Sequence, residues 1–136
     1  MKKAGNIVLL ISGILSIISA VSCLAGGIIM LAFTSPAAYN LIVEGLKSGT
    51  ISSTLPGTPE QIALTIQAMF LGYGIACVVE SLFMAACAVF AFMARAKESL
   101  SLFITNIVLG ALSGSLTAIA GGIFGIIGHN KEKEAE

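Results

Sequence analysis

Glu80 has the strongest claim to chemistry in this chain, because it is the one charged side chain within three long apolar runs, Asn6 to Phe33, Ile62 to Met93 and Leu100 to Gly128. A charge at the centre of a bilayer costs about 3 kcal/mol even on lenient scales, so Glu80 is expected to face other helices as a neutral carboxylic acid. Helical phase puts Tyr73, Ala76, Cys77, Glu80, Met84 and Cys87 on one face. Depth suggests partners: Glu80 lies 14 residues before Ala94, Ser113 lies 14 after Ser99, and Ser19 lies 13 after Asn6. Glu80 is therefore expected to bond to Ser113 or Thr117 of the third run and to Ser16 or Ser19 of the first. The same carboxyl and hydroxyls are also the groups a proton or cation pathway would use, and the two expectations carry equal weight.

Other chemistry finds little support. The chain contains no Asp, and His129, the only histidine, lies at the far end of the third run, about 20 Å or more from Glu80 and beyond acid–base reach. Cys23, Cys77 and Cys87 sit at separate depths in apolar runs, where thiols pack as small hydrophobes; with one remote His they form no metal site. Ser113-Gly114 resembles the serine of an intramembrane protease, but Ala111 stands where a glycine is expected and no histidine is available as base. No enzyme activity, cofactor or metal is expected. The formal net charge is zero and no basic cluster exceeds two residues, so nucleic acid is not an implied partner.

The elements that must position Glu80 are membrane helices. About 20 apolar residues span a hydrocarbon layer roughly 30 Å thick, and each run exceeds that. The expected fold is all-α, an integral membrane bundle of three transmembrane helices, with spans at about 6–33, 62–94 and 100–128 in a single transmembrane domain covering 1–136. A connector, 34–61, is expected outside the membrane and a charged tail occupies 129–136. Met1-Lys2-Lys3 before an apolar stretch resembles a signal peptide, and Ala20 to Cys23 a lipoprotein cleavage box; the continued apolar run Leu24 to Phe33 favours an uncleaved first span. Within the connector, Ser35 can cap a short amphipathic surface helix with Pro36 at its first position. Thr58-Pro59-Glu60-Gln61 matches a capping box that starts the second span in water. Gln67 and Asn106 fall near the membrane surfaces and are expected to be interfacial hydrogen-bonding groups. Lys2, Lys3, Arg95 and Lys97 are expected on one side of the membrane and Lys47, Lys131 and Lys133 on the other. The positive-inside rule then favours a cytoplasmic N-terminus and an external tail.

Two spans carry small-residue faces. Gly110, Gly114, Thr117, Gly121, Gly125 and Gly128 share one side of the third run, and Ser12, Ser16, Ser19, Cys23 and Gly26 one side of the first. Small residues let helix backbones approach, so Ser12, Gly26, Gly110, Gly114, Gly121 and Gly125 are the expected packing positions. Lys2-Lys3, the Gly/Ser-rich first span, the basic turn Arg95-Ala96-Lys97 and the closing Gly121-Gly122-Ile123-Phe124-Gly125-Ile126-Ile127-Gly128 resemble small uncharacterised bacterial multi-pass membrane proteins of three to four spans. That resemblance implies a bacterial plasma (inner) membrane and no known activity. The leading expectation is a non-enzymatic structural or accessory subunit, in a homo-oligomer or a larger membrane complex with lipid as its solvent. The alternative is an oligomeric pore or transport protein, a proton or cation pathway or a holin-like assembly, built on Glu80.

Overall fold

The computed structural model describes residues 2–133 and the side chains of residues 5–130. Among the described residues it is all-helical, with α1 (Lys2–Ala32), α2 (Pro36–Lys47), α3 (Pro59–Lys97), α4 (Leu100–Leu112) and α5 (Leu116–Lys133) and no strand. Two helices, α1 and α3, are long and apolar enough to cross a membrane. In α3 the apolar run is one continuous helix of 39 residues, about 58 Å long.

Local capping begins the elements where the sequence marks them. Ser35 Oγ accepts from the Ala38 amide at 3.3 Å, and Pro36 opens α2. The capping box forms in both directions: Gln61 N–H donates to Thr58 Oγ1 at 3.3 Å and Thr58 N–H to Gln61 Oε1 at 3.1 Å. Each bond satisfies a donor that the first turn of a helix leaves unpaired.

The third apolar run departs from expectation. It is two helices, α4 and α5, folded back on each other as an antiparallel hairpin. The cause is local. Gly114 adopts φ +65°, the Ser115 amide donates to Gly110 O at 2.8 Å and the Gly114 amide to Ala111 O at 3.4 Å, which together terminate α4 in a Schellman motif. Ser115 then caps α5, its Oγ accepting from Ala118 N–H at 3.4 Å. Gly114 is thus a turn residue, and a Cβ there would meet nothing within 4 Å, unlike the close approach its expected packing role implies.

Contacts divide the chain into two compact units, residues 1–22 with 80–136, and residues 23–79. In the first, Leu9, Ala91, Ala94 and Phe103 form the buried core with Leu102 and Ile126 against it. Glycines set the close approaches. A Cβ on Gly110 would meet Ala118 and the Ile119 backbone, one on Gly121 would meet Leu9, and one on Gly125 would meet the Phe103 ring. Ser12 of α1 is fully buried. Asn106 is fully buried in the hairpin, where its Nδ2 donates to Ala118 O at 2.9 Å.

In the second unit Gly27 packs against the Gly74 carbonyl and the Val78 side chain, whereas Gly26 faces open space. The packing glycine is one position later than expected. Phe33 stacks on Phe70, and Gln67 Nε2 donates at 3.1 Å to both Phe33 O and Ser35 O, closing the end of α1. Lys47 and Glu60 pair at 2.6 Å, tying α2 to the start of α3. The bond between them holds the Lys47 ammonium above its ordinary pKa and the Glu60 carboxyl below its own.

Candidate functional site

A cavity of about 330 Å³ opens in the first unit, walled by Leu15, Ser16 and Ser19 of α1, Met84 of α3, Gly114 and Ser115 of the turn, and Leu116 and Thr117 of α5. Three elements are needed to make it. The inward phase of α1 supplies Ser16 and Ser19, the hairpin turn supplies Ser115, and the first turn of α5 supplies Thr117.

Each hydroxyl has a distinct status. Ser115 Oγ lies 3.2 Å from Thr117 Oγ1 while also accepting from Ala118 N–H. Ser16 is 2% exposed and its Oγ has no hydrogen-bond partner; Ser12 Oγ, one turn earlier, is also buried and unpaired. Ser113, next to the cavity wall, donates from Oγ to Leu109 O at 2.8 Å, which uses its single proton. The 3.4 Å contact between Ser113 and Cys87 therefore has the buried thiol as donor and pins the turn to α3. Sequence reasoning missed this pair, although Cys87 shares the helical face singled out for Glu80.

Of the five residues expected to form a polar site, Ser16, Ser19 and Thr117 meet at the cavity and Ser113 stands beside it. Glu80 does not join them. It is exposed on α3, one turn before Met84. The reason follows from the hairpin. Cys87 and Glu80 share a face, seven residues and about 10 Å apart, but the turn that covers Cys87 reverses the chain there, so the hairpin does not extend over Glu80.

The opposite end of the hairpin carries another correction. Gly5, Asn6, Glu98, Gly128 and His129 line one small pocket, so α5 returns to the end where α1 begins and α3 meets α4. His129 was expected at the other end of a straight span. The last residues, 134–136, lie outside those described.

Among the described residues lining the cavity none ionises; the wall offers hydroxyls, backbone amides of a helix start, a thioether and leucines. Such a lining can orient and hold a molecule, and it offers neither a general base nor an activated nucleophile. No protein-family model, curated protein or solved structure matches the chain.

Proposed function

We infer that the chain is a non-enzymatic, multi-pass protein of a bacterial plasma membrane that works as a structural or accessory subunit of a larger assembly. The membrane environment is supported by surface chemistry. Only 28% of the most apolar window of α1 and 22% of that of α3 is buried, whereas the core helix of a water-soluble domain would be mostly covered. In this reading α1 and α3 cross the bilayer, while α4, about 20 Å long, falls short of a full crossing and the hairpin enters and returns. Its irregular turn at membrane depth is tolerable because it lines a cavity and bonds to Cys87. Lys2, Lys3, Arg95, Lys97, Lys131 and Lys133 then belong to segments meeting at one end, which favours a cytoplasmic position for both described termini.

The single observation carrying the subunit role is the exposure of Glu80 near the middle of an apolar helix. A carboxyl presented to lipid is costly, and a polar group on a neighbouring subunit relieves that cost. Glu80→Ala is expected to weaken assembly in native-like nanodiscs or mild detergent by roughly 3- to 30-fold, the worth of one or two interhelical hydrogen bonds, and Glu80→Gln to preserve it. Mass photometry or cross-linking reads the result. Identical assembly of wild type and Glu80→Ala, or a monomeric wild type in native membranes, would overturn the subunit role. The outward carboxyl also suits a pore lined by several copies; Glu80-dependent proton or cation flux in proteoliposomes would favour that second reading over an accessory role.

A further inference from the structure

Glu80 supplies half of an interaction. It stands exposed on α3 and makes no hydrogen bond or ion pair with any described residue. Hydrocarbon does not sustain an isolated carboxylate, and the only cations of α3, Arg95 and Lys97, lie in its last turn, about 22 Å or more along the axis. A neutral carboxyl carries one O–H donor and a carbonyl acceptor. Two such groups satisfy each other, each O–H donating to the other's C=O, so a second Glu80 is a complete match for the first. Depth favours the same partner. Copies of one chain enter a membrane in one orientation, so where two α3 helices cross, an exposed residue meets its own counterpart at equal depth. An unrelated partner would have to bring a polar group of its own to that level.

The surface of α3 beside Glu80 permits such a crossing. Ala76, one turn earlier, is exposed, and so is Gly72, where an added Cβ would meet nothing within 4 Å. Gly72, Ala76 and Glu80 recur every four residues along one continuous helix, and small residues at that spacing let membrane helices approach closely. The helix's own packing leaves this side free. Gly74 and Val78, which meet Gly27 of α1, lie about 160° round α3 from Gly72 and Ala76. A contact in which each residue meets its own copy is isologous, so it closes at two chains and does not build the ring that a pore requires.

We propose that the partner of Glu80 is a second copy of this chain, with two α3 helices crossing at Gly72 and Ala76 and their Glu80 carboxyls hydrogen-bonded to each other. The proposal rests on the subunit reading above and names its partner. The test uses the full chain with Cys23, Cys77 and Cys87 replaced by Ala. Ala76→Cys is expected to form disulfide-linked dimers on oxidation in native membranes, and Ala85→Cys, about 140° round α3 from Glu80, to form none. Energy transfer between copies dye-labelled at Ser52→Cys in phosphatidylcholine liposomes should show self-association. It should weaken roughly 3- to 30-fold in Glu80→Ala, persist in Glu80→Gln, whose amide also pairs reciprocally, and weaken about tenfold or more in Gly72→Ile, while Ala85→Ile leaves it unchanged. Absence of self-association in liposomes, undiminished self-association in Glu80→Ala, or equal linkage through Ala76→Cys and Ala85→Cys would overturn the pairing. A chain that is monomeric in liposomes but assembles through Glu80 with a different protein in native membranes would overturn the self-pairing alone; a chain that is monomeric in both would overturn the subunit reading as well.

Discussion

Gly122→Val is expected to break the α4–α5 hairpin, at a cost near the upper end of the roughly 1–3 kcal/mol typical of overpacking. A Cβ at Gly122 would stand 2.7 Å from the carbonyl oxygen of Phe103 and press on Ile107 Cγ1. The side chain of Ile107 can move, but the Phe103 carbonyl belongs to the helix ladder of α4 and cannot yield without separating the helices. Gly125 is a second probe of the same seam, because its Cβ would meet the ring of the buried Phe103. Unfolding in detergent by titration with a denaturing surfactant should rank Gly122→Val as more damaging than Gly125→Ala. Equal stability of Gly122→Val and wild type would mean that the two helices do not approach as described. Loss of the hairpin also removes Ser115 and Thr117 from the cavity, so packing and site should fail together.

In the second unit, Gly27→Val is expected to destabilise by about 2 kcal/mol or more, while Gly26→Val stays within about 0.5 kcal/mol of wild type. The two positions are adjacent and chemically identical, and they differ only in what they face. Around Gly27 a Cβ would lie 3.0 Å from both the Gly74 carbonyl oxygen and Val78 Cγ2, and Gly74 in turn packs on Leu31 and the Gly27 carbonyl. Around Gly26 nothing lies within 4 Å. Thermal or surfactant unfolding of the pair distinguishes packing from helix propensity, since the intrinsic cost of valine in a helix is nearly the same at both sites. Equal effects would exclude the reciprocal Gly27–Gly74 approach.

Local signals in the sequence were legible and global ones were not. Ser35, Thr58 and Gln61 act through bonds spanning three residues, so their patterns could be read without knowing what packs on them. The glycine stripe of the third run was legible as a packing surface, and Gly110, Gly121 and Gly125 serve as one. Its interruption was missed because Gly114 counts equally well as part of that stripe, whereas glycine after a helix end followed by a serine cap is itself a stop-and-restart signal. One misreading produced two others. A straight third span would cover Glu80 and carry His129 to the far end; a hairpin exposes Glu80 and returns His129 beside Asn6. Periodicity separates the faces of a helix, but which face a neighbour covers depends on where that neighbour turns.

The most direct test of a membrane protein with a re-entrant hairpin is the sidedness of α5's far end. In a background with Cys23, Cys77 and Cys87 replaced by Ala, single cysteines at Lys97, Asn130 and Ser52 can be labelled with a membrane-impermeant maleimide in intact and in permeabilised cells. The expected result is that Lys97→Cys and Asn130→Cys react only after permeabilisation, while Ser52→Cys reacts in intact cells. Labelling of Asn130→Cys in intact cells, with Lys97→Cys still protected, would mean that the third run crosses the membrane as a single span and would contradict the hairpin.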